Sequence, residues 1–225
     1  TRYLAVTGVQ TCALPICDEA VIRLKEQAHQ GIDSQEDIYK LYGSPEAPQI
    51  YSTSAETALS VNTIPPQEVA NIIPIAFQMD KDTTATLQFS ISDQQQLFSS
   101  IQLEDTYTNT FTEITEGTAY SFSHEAGSNP DRFLLHFQLL TTVDEQNENV
   151  IKVWGYGRRV YCKLPAHPSE TYDIEATDLA GKTLYKGNVS GNKIHTFELQ
   201  IPTQAVIVTV VSNDLNYFGK HLISE

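Results

Sequence analysis

Residues 84–91 read Thr-Ala-Thr-Leu-Gln-Phe-Ser-Ile, an unbroken alternation of polar and apolar side chains. A period of two puts Ala85, Leu87, Phe89 and Ile91 on one face of an extended chain and Thr84, Thr86, Gln88 and Ser90 on the other. Such a segment is satisfied as a strand with one covered and one wet face. The same period returns at Asp18–Leu24 and at 133–139, where Phe133, Leu135, Phe137 and Leu139 share the core side. No stretch carries helical periodicity. Many short strands at close spacing predict an all-β chain of two consecutive antiparallel, immunoglobulin-like β-sandwich modules.

Further strands are expected at 49–53 and 58–62 across a polar loop, at 72–79, 100–104, 110–114 and 119–123. Pro74 argues that 72–79 is an edge strand or carries a bulge. Gly127-Ser128-Asn129-Pro130 is a turn signal. Asp37–Gly43 reads equally as a short helical turn or an irregular edge. The first module is placed at 18–140. Residues 141–149 (TTVDEQNEN) are polar, acidic and aperiodic, and are expected to be a linker. A second module of about 75 residues spans 150–225. Its strands are expected at 150–153, 159–164, 172–177, 182–186, 195–199, 205–212 and 220–223, with Trp154–Arg158 as the first hairpin turn.

The first seventeen residues are set aside. Val6 to Ile16 match, in one frame, the translated end of a common short-read sequencing adapter, and the next base fits the codon of Cys17. This segment is expected to be non-native and outside the fold. The expectation has two consequences. Nothing about a leader can be drawn from the first residues, and Cys12 and Cys17 drop out of the cysteine count. Cys162 is left without a partner, so it reads as a small buried hydrophobe.

Charge narrows the partners. The chain holds 28 acidic and 14 basic residues, a formal net charge of -14. That field repels phosphate backbones, so no nucleic-acid partner is expected. No apolar run approaches the roughly 18 residues of a spanning helix. Glu104-Asp105, Glu113–Glu116 and Asp144–Glu148 lack the spacing of a calcium loop and read as solvated surface. His29, His124, His136, His167, His195 and His221 form no metal pattern. No nucleophile elbow, zincin, P-loop or dinucleotide fingerprint occurs. Asp131-Arg132 reads as a structural ion pair or strand-start device. Trp154, Tyr156 and Tyr161 read as packing, with an aromatic sugar platform as the alternative. No catalytic residue, metal or cofactor is expected, and the chain is expected to be a non-catalytic monomer.

Two sets of residues carry a family resemblance. Asp178-Leu179-x-Gly181-Lys182-x-Leu184 is similar to the Asp-Leu-x-Gly-Arg/Lys pattern of the type A C-terminal sorting domain of the type IX secretion system. Pro202, with the alternating strand through Val208 and Val210, and Lys220 near the end fall where that family has its Leu-Pro strand and basic finish. Gln204 and Val206 replace that family's usual Gly and Tyr. Upstream, Ala47-Pro48-Gln49-Ile50-Tyr51 and Asp131-Arg132-Phe133-Leu134-Leu135-His136-Phe137 resemble a sandwich that recurs near the C-terminus of large surface proteins of the same Gram-negative bacteria. The resemblance implies a truncated fragment of a secreted or cell-surface protein that passes through the periplasm. Its partners would be the outer-membrane secretion machinery and the enzyme that sorts and attaches cargo. Removal of the terminal domain would fall near Thr141–Val150. The alternative is an adhesin-like upstream sandwich that binds a surface glycan or a host molecule.

Overall fold

The computed structural model describes residues 2–8, 17–25, 27–29, 31–65, 72–92, 98–139, 150–165, 170–191, 194–213 and 215–223. The expected linker at 141–149, the Asp144–Glu148 carboxylates, Cys12 and His167 lie outside them. The chain is all-β, with no helix among the described residues, and it divides into two compact units, Thr1–Leu140 and Thr141–Glu225.

The first unit contains β1 (Arg2–Gly8), β2 (Asp18–Leu24), β3 (Ile38–Tyr39), β4 (Gln49–Ser54), β5 (Thr57–Ile64), β6 (Ile72–Gln78), β7 (Thr83–Ser92), β8 (Phe98–Asp105), β9 (Thr110–Glu113), β10 (Ala119–His124) and β11 (Phe133–Leu139). They form one eleven-stranded sheet in the order β10-β7-β1-β2-β5-β4-β6-β11-β8-β9, with β3 on β5. The sheet turns a corner at β5, whose first half pairs with β4 and whose second half pairs in parallel with β2. The two ends thereby close over one core. Ile22, Phe77, Leu87, Phe89, Phe122, Phe133 and Phe137 belong to a single buried cluster. Phe122 on β10 meets Phe77 on β6 edge-on at 5.1 Å and Phe133 on β11 at 4.9 Å, although β10 lies at the far end of the strand order. Full burial of each such side chain contributes about 1.5–3 kcal/mol.

Two expectations need correction. Arg2–Gly8 is a strand inside the sheet, paired to both β2 and β7, and does not stand outside the fold. Ladder pairing uses the backbone that every residue carries, so an extended segment fills a place between two strand edges whatever its origin. Next, β6 is an interior strand between β4 and β11, not an edge. It tolerates Pro74 because its pairing with β4 stops at Ile75. Of the two alternatives for Asp37–Gly43, the irregular edge is the one that forms: Ile38–Tyr39 is a two-residue strand on β5, with a register shift between its residues.

That segment inverts the usual burial. Asp37 and Lys40 are 6% and 8% exposed, whereas Ile38, Tyr39, Leu41 and Tyr42 are 53%, 51%, 86% and 56% exposed. Asp37 accepts hydrogen bonds from the Thr63 amide (2.7 Å) and the Asp33 amide (2.8 Å). Lys40 is ion-paired with Asp18, which also accepts from the Ile50 amide at 2.7 Å. The charges therefore pin the segment down, and the apolar side chains face outward.

The polar loop expected between β4 and β5 is a two-residue turn. Ala55 and Glu56 both have positive φ, 45° and 64°. A tight hairpin needs this geometry, and Asn-Gly adopts it with least strain. Replacing the pair by Asn-Gly (A55N together with E56G) should stabilise the first unit by about 1 kcal/mol. Urea unfolding would show a higher midpoint at unchanged slope; an unchanged midpoint would mean the turn holds no strain.

The second unit contains β12 (Lys152–Tyr156), β13 (Arg159–Lys163), β14 (Thr171–Asp178), β15 (Thr183–Ser190), β16 (Ile194–Glu198), β17 (Gln204–Val211) and β18 (Asn216–Ile223). Two sheets, β12-β13-β16 and β15-β14-β17-β18, enclose a core that includes Val160, Cys162, Phe197, Tyr172, Ile174, Val206, Val208 and Val210. Tyr185 on β15 stacks on Phe197 of β16 at 3.9 Å, joining the two sheets. The first hairpin is tighter than the expected Trp154–Arg158 turn. Trp154, Gly155 and Tyr156 remain in strand, and only Gly157-Arg158 turns, with Gly157 at φ +55°.

Candidate functional site

The densest polar constellation of the first unit lies where β8 ends and β11 begins. Phe133 pairs with Asp105, which sets Arg132 beside the end of β8. The Arg132 guanidinium grips Asp105 at two points, Nε to Oδ1 (2.8 Å) and NH2 to Oδ2 (2.6 Å). Its NH1 donates to the Ser123 carbonyl at 2.6 Å. Tyr120 Oη donates to Asp105 Oδ2 at 2.8 Å, and the Tyr107 amide to Oδ1 at 3.0 Å. The guanidinium also lies over the rings of Phe122, Tyr107 and Phe133, at 4.7, 5.1 and 5.2 Å. Asp105 is fully buried. Burial alone pushes its carboxyl up; the Arg132 and Tyr120 hydrogen bonds, the Arg132 charge and the Tyr107 amide outweigh that and hold it below its usual value.

A surface cavity of about 170 Å³ opens beside this cluster, lined in part by Tyr107, Ser128, Asn129 and Arg132. Chemically the cluster is a clamp. Its cation is neutralised by a bidentate carboxylate, and its carboxylate accepts from both sides. Arg132 stands directly before β11, the strand-start position expected of Asp131-Arg132, and its ion-pair partner is Asp105. Glu104 and Asp105 are not the expected solvated surface. They are 1% and 0% exposed, and Glu104 contacts His136 Nε2 at 2.8 Å. They are buried because each has found a cationic or imidazole partner across the β8–β11 ladder.

The remaining candidates resolve into structural roles. His124 Nε2 bonds the Met79 carbonyl at 2.7 Å, and His195 Nε2 bonds the Ser190 carbonyl at 2.8 Å. His221 lies 3.0 Å from Tyr217 Oη, and burial lowers its pKa. No three metal-ligating side chains come together among the described residues. Trp154 and Tyr161 stack at 5.5 Å, with Tyr161 fully buried, so the three aromatic residues do not build an open platform. Cys162 is fully buried, and burial pushes its thiol up to about 12, the behaviour of a small hydrophobe.

The second constellation is the turn between β14 and β15. Asp178 Oδ1 accepts from the Ala180 amide and the Lys182 amide, each at 2.9 Å. The Asp178 amide donates to the Lys182 carbonyl at 3.0 Å, and the Gly181 amide donates to the Asp178 carbonyl at 3.0 Å. Gly181 sits at φ +83°, which disfavours any residue with a Cβ. Asp and Gly at this spacing are therefore what the turn needs. Leu184 packs against the core, and Val208 and Val210 are fully buried within it. Leu179 differs, being 63% exposed at the tip, and Lys182 is exposed beside it.

The register gathers residues that are distant in sequence. Asp178 pairs with Val206 at the start of β17, while Gln204 pairs with Ile223 at the end of β18. The Leu179 turn and exposed Pro202, two residues before β17, thus occupy one end of the four-stranded sheet, while exposed Lys220 lies further along β18, paired with Ile207. The Asp105 clamp went unseen in the sequence; its only local signal was Arg132 at the start of an alternating strand.

These features define a tandem β-sandwich protein whose polar groups mainly bind its own strands together. Residues 16–137, more than half of the chain, match the family described as a domain of unknown function (DUF8693), and the chain belongs to that family. No curated protein matches the chain.

Proposed function

We propose that the chain is the non-catalytic C-terminal part of a secreted or cell-surface protein of a Gram-negative bacterium. The first unit serves as a β-sandwich spacer. The second resembles a type IX sorting domain and directs export through the periplasm to the outer-membrane machinery and its attachment enzyme. One observation carries this reading: at the Asp178 turn, Asp178 and Gly181 have a task in folding, whereas the Leu179 and Lys182 side chains are exposed. An exposed leucine beside a lysine on a rigid turn is a surface that a partner can read.

The test separates reading from folding. The Leu179→Ala, Lys182→Ala double variant should keep its unfolding midpoint, because exposed changes cost within about 0.5 kcal/mol. In a host with the secretion system, the full chain bearing both changes should accumulate in the periplasm. Export at the level of the unaltered chain would overturn the sorting reading.

A second reading has its own support. Tyr39 and Tyr42 stand exposed on the first unit beside Ile38 and Leu41, a surface suited to stacking on a sugar ring. On this reading the unit is adhesin-like and binds a surface glycan. The Tyr39→Ala variant, which leaves the edge contact of Tyr42 with Tyr51 in place, should then lose retention on immobilised oligosaccharides at unchanged stability. Equal retention by both chains, or none by either, would remove the glycan reading.

A further inference from the structure

The matched family segment begins at residue 16, so β1 lies outside it while both neighbours of β1 lie inside. β1 is held on both edges. It pairs with β2 from Arg2↔Leu24 to Gly8↔Asp18, and with β7 from Tyr3↔Ser92 to Gly8↔Leu87. On their far sides β2 pairs with β5 and β7 with β10. Among the described residues, β1 is the only ladder joining the β7–β10 pair to the rest of the sheet.

Without β1, the facing edges of β2 and β7 would stand two strand spacings apart, about 9–10 Å. Those edges would expose unpaired amides and carbonyls over 18–24 and 87–92. The walls of the gap carry Ala20, Ile22, Leu24, Leu87 and Phe89, all buried members of the core. An empty gap would therefore admit water to the core as well as leave two ladders unmade. The segment that fills it lies outside the matched family segment, so the family domain itself supplies the two edges and not the strand between them. What the gap selects is an extended backbone of about seven residues without proline.

We propose that the gap between β2 and β7 is a strand-acceptor site of the family domain. It takes an extended segment from outside residues 16–137, here Arg2–Gly8, by pairing with both of its edges. The same site accepts an equivalent segment as a separate peptide.

The test uses the full chain with a protease recognition sequence placed within residues 9–16. After cleavage, the fragment holding residues 1–8 should remain with the rest of the chain through gel filtration. It should exchange, saturably, with a fluorescent peptide of sequence TRYLAVTG. The same peptide with proline at the position of Ala5 should bind at least about tenfold more weakly, because proline removes a ladder donor and clashes within an interior strand. In the intact chain, Ala5→Pro should raise amide exchange at 18–24 and 87–92. Loss of the fragment with unchanged protection of both segments would overturn the proposal. So would equal binding of the proline peptide, which would mark non-specific adhesion.

Discussion

Arg132→Met should destabilise the first unit by about 3–5 kcal/mol at neutral pH, the cost of stranding a buried carboxylate after its partner is removed. Methionine keeps much of the apolar stem of arginine, so the loss reports the charge rather than the volume. Asp105 is fully buried and keeps only Tyr120 and the Tyr107 amide as donors. The pH dependence gives the result a sign. In the unaltered chain the Asp105 carboxyl is held below its ordinary value of 3.8. Its contribution to stability is therefore complete above that value and is lost as pH falls through the folded-state value. In the variant, burial acts without the opposing cation and raises the carboxyl. Protonation then relieves the stranded charge, and the deficit should shrink between pH 7 and pH 4. Adding Asp105→Asn should restore part of the loss, since a neutral amide is far cheaper to bury. Urea unfolding at the two pH values reads all of this. A deficit equal at both would show that packing, not charge, holds the strands.

Val208→Asp should unfold the second unit. Val208 is fully buried, paired with Ala176 on one side and Gly219 on the other, and part of the core between the two sheets. It packs among apolar side chains, so an aspartate there would be a desolvated charge in an apolar core. Costs of that kind exceed about 4 kcal/mol, comparable to the whole stability of a unit this small. Amide exchange should lose protection across 150–223 and keep it across the strands of the first unit. On the proposed sorting function, export should fail as well. The two variants would then differ in cause: Val208→Asp would block export by unfolding the module, and the Leu179, Lys182 variant would block it with the module folded and only its turn changed. Full protection across 150–223 would contradict the core assignment of Val208.

Strands were legible wherever alternation is local. Residues 84–91, 133–137 and 172–177 fall in β7, β11 and β14 because a period of two is written into consecutive residues. The Asp178 turn was legible for the same reason, since all its hydrogen bonds close within four residues. The Asp105 clamp was not, because Arg132 meets a partner 27 positions away that only the register of β8 against β11 supplies. The Ala55-Glu56 turn was hidden for another reason: its residues lack the Asn-Gly signature that its dihedral angles call for. The Arg2–Gly8 strand was not legible because a resemblance to a translated adapter says nothing about what a backbone can pair with.

The inverted segment at 37–42 separates two kinds of selective constraint. Asp37 and Lys40 answer to the fold, since each is buried on a partner within the unit. Ile38, Tyr39, Leu41 and Tyr42 are largely exposed. Among diverging family members, drift should therefore spare the two charges and scatter the four apolar positions. Any lineage that holds those four fixed would be keeping the imprint of a ligand, because stability alone gives little reason to keep them.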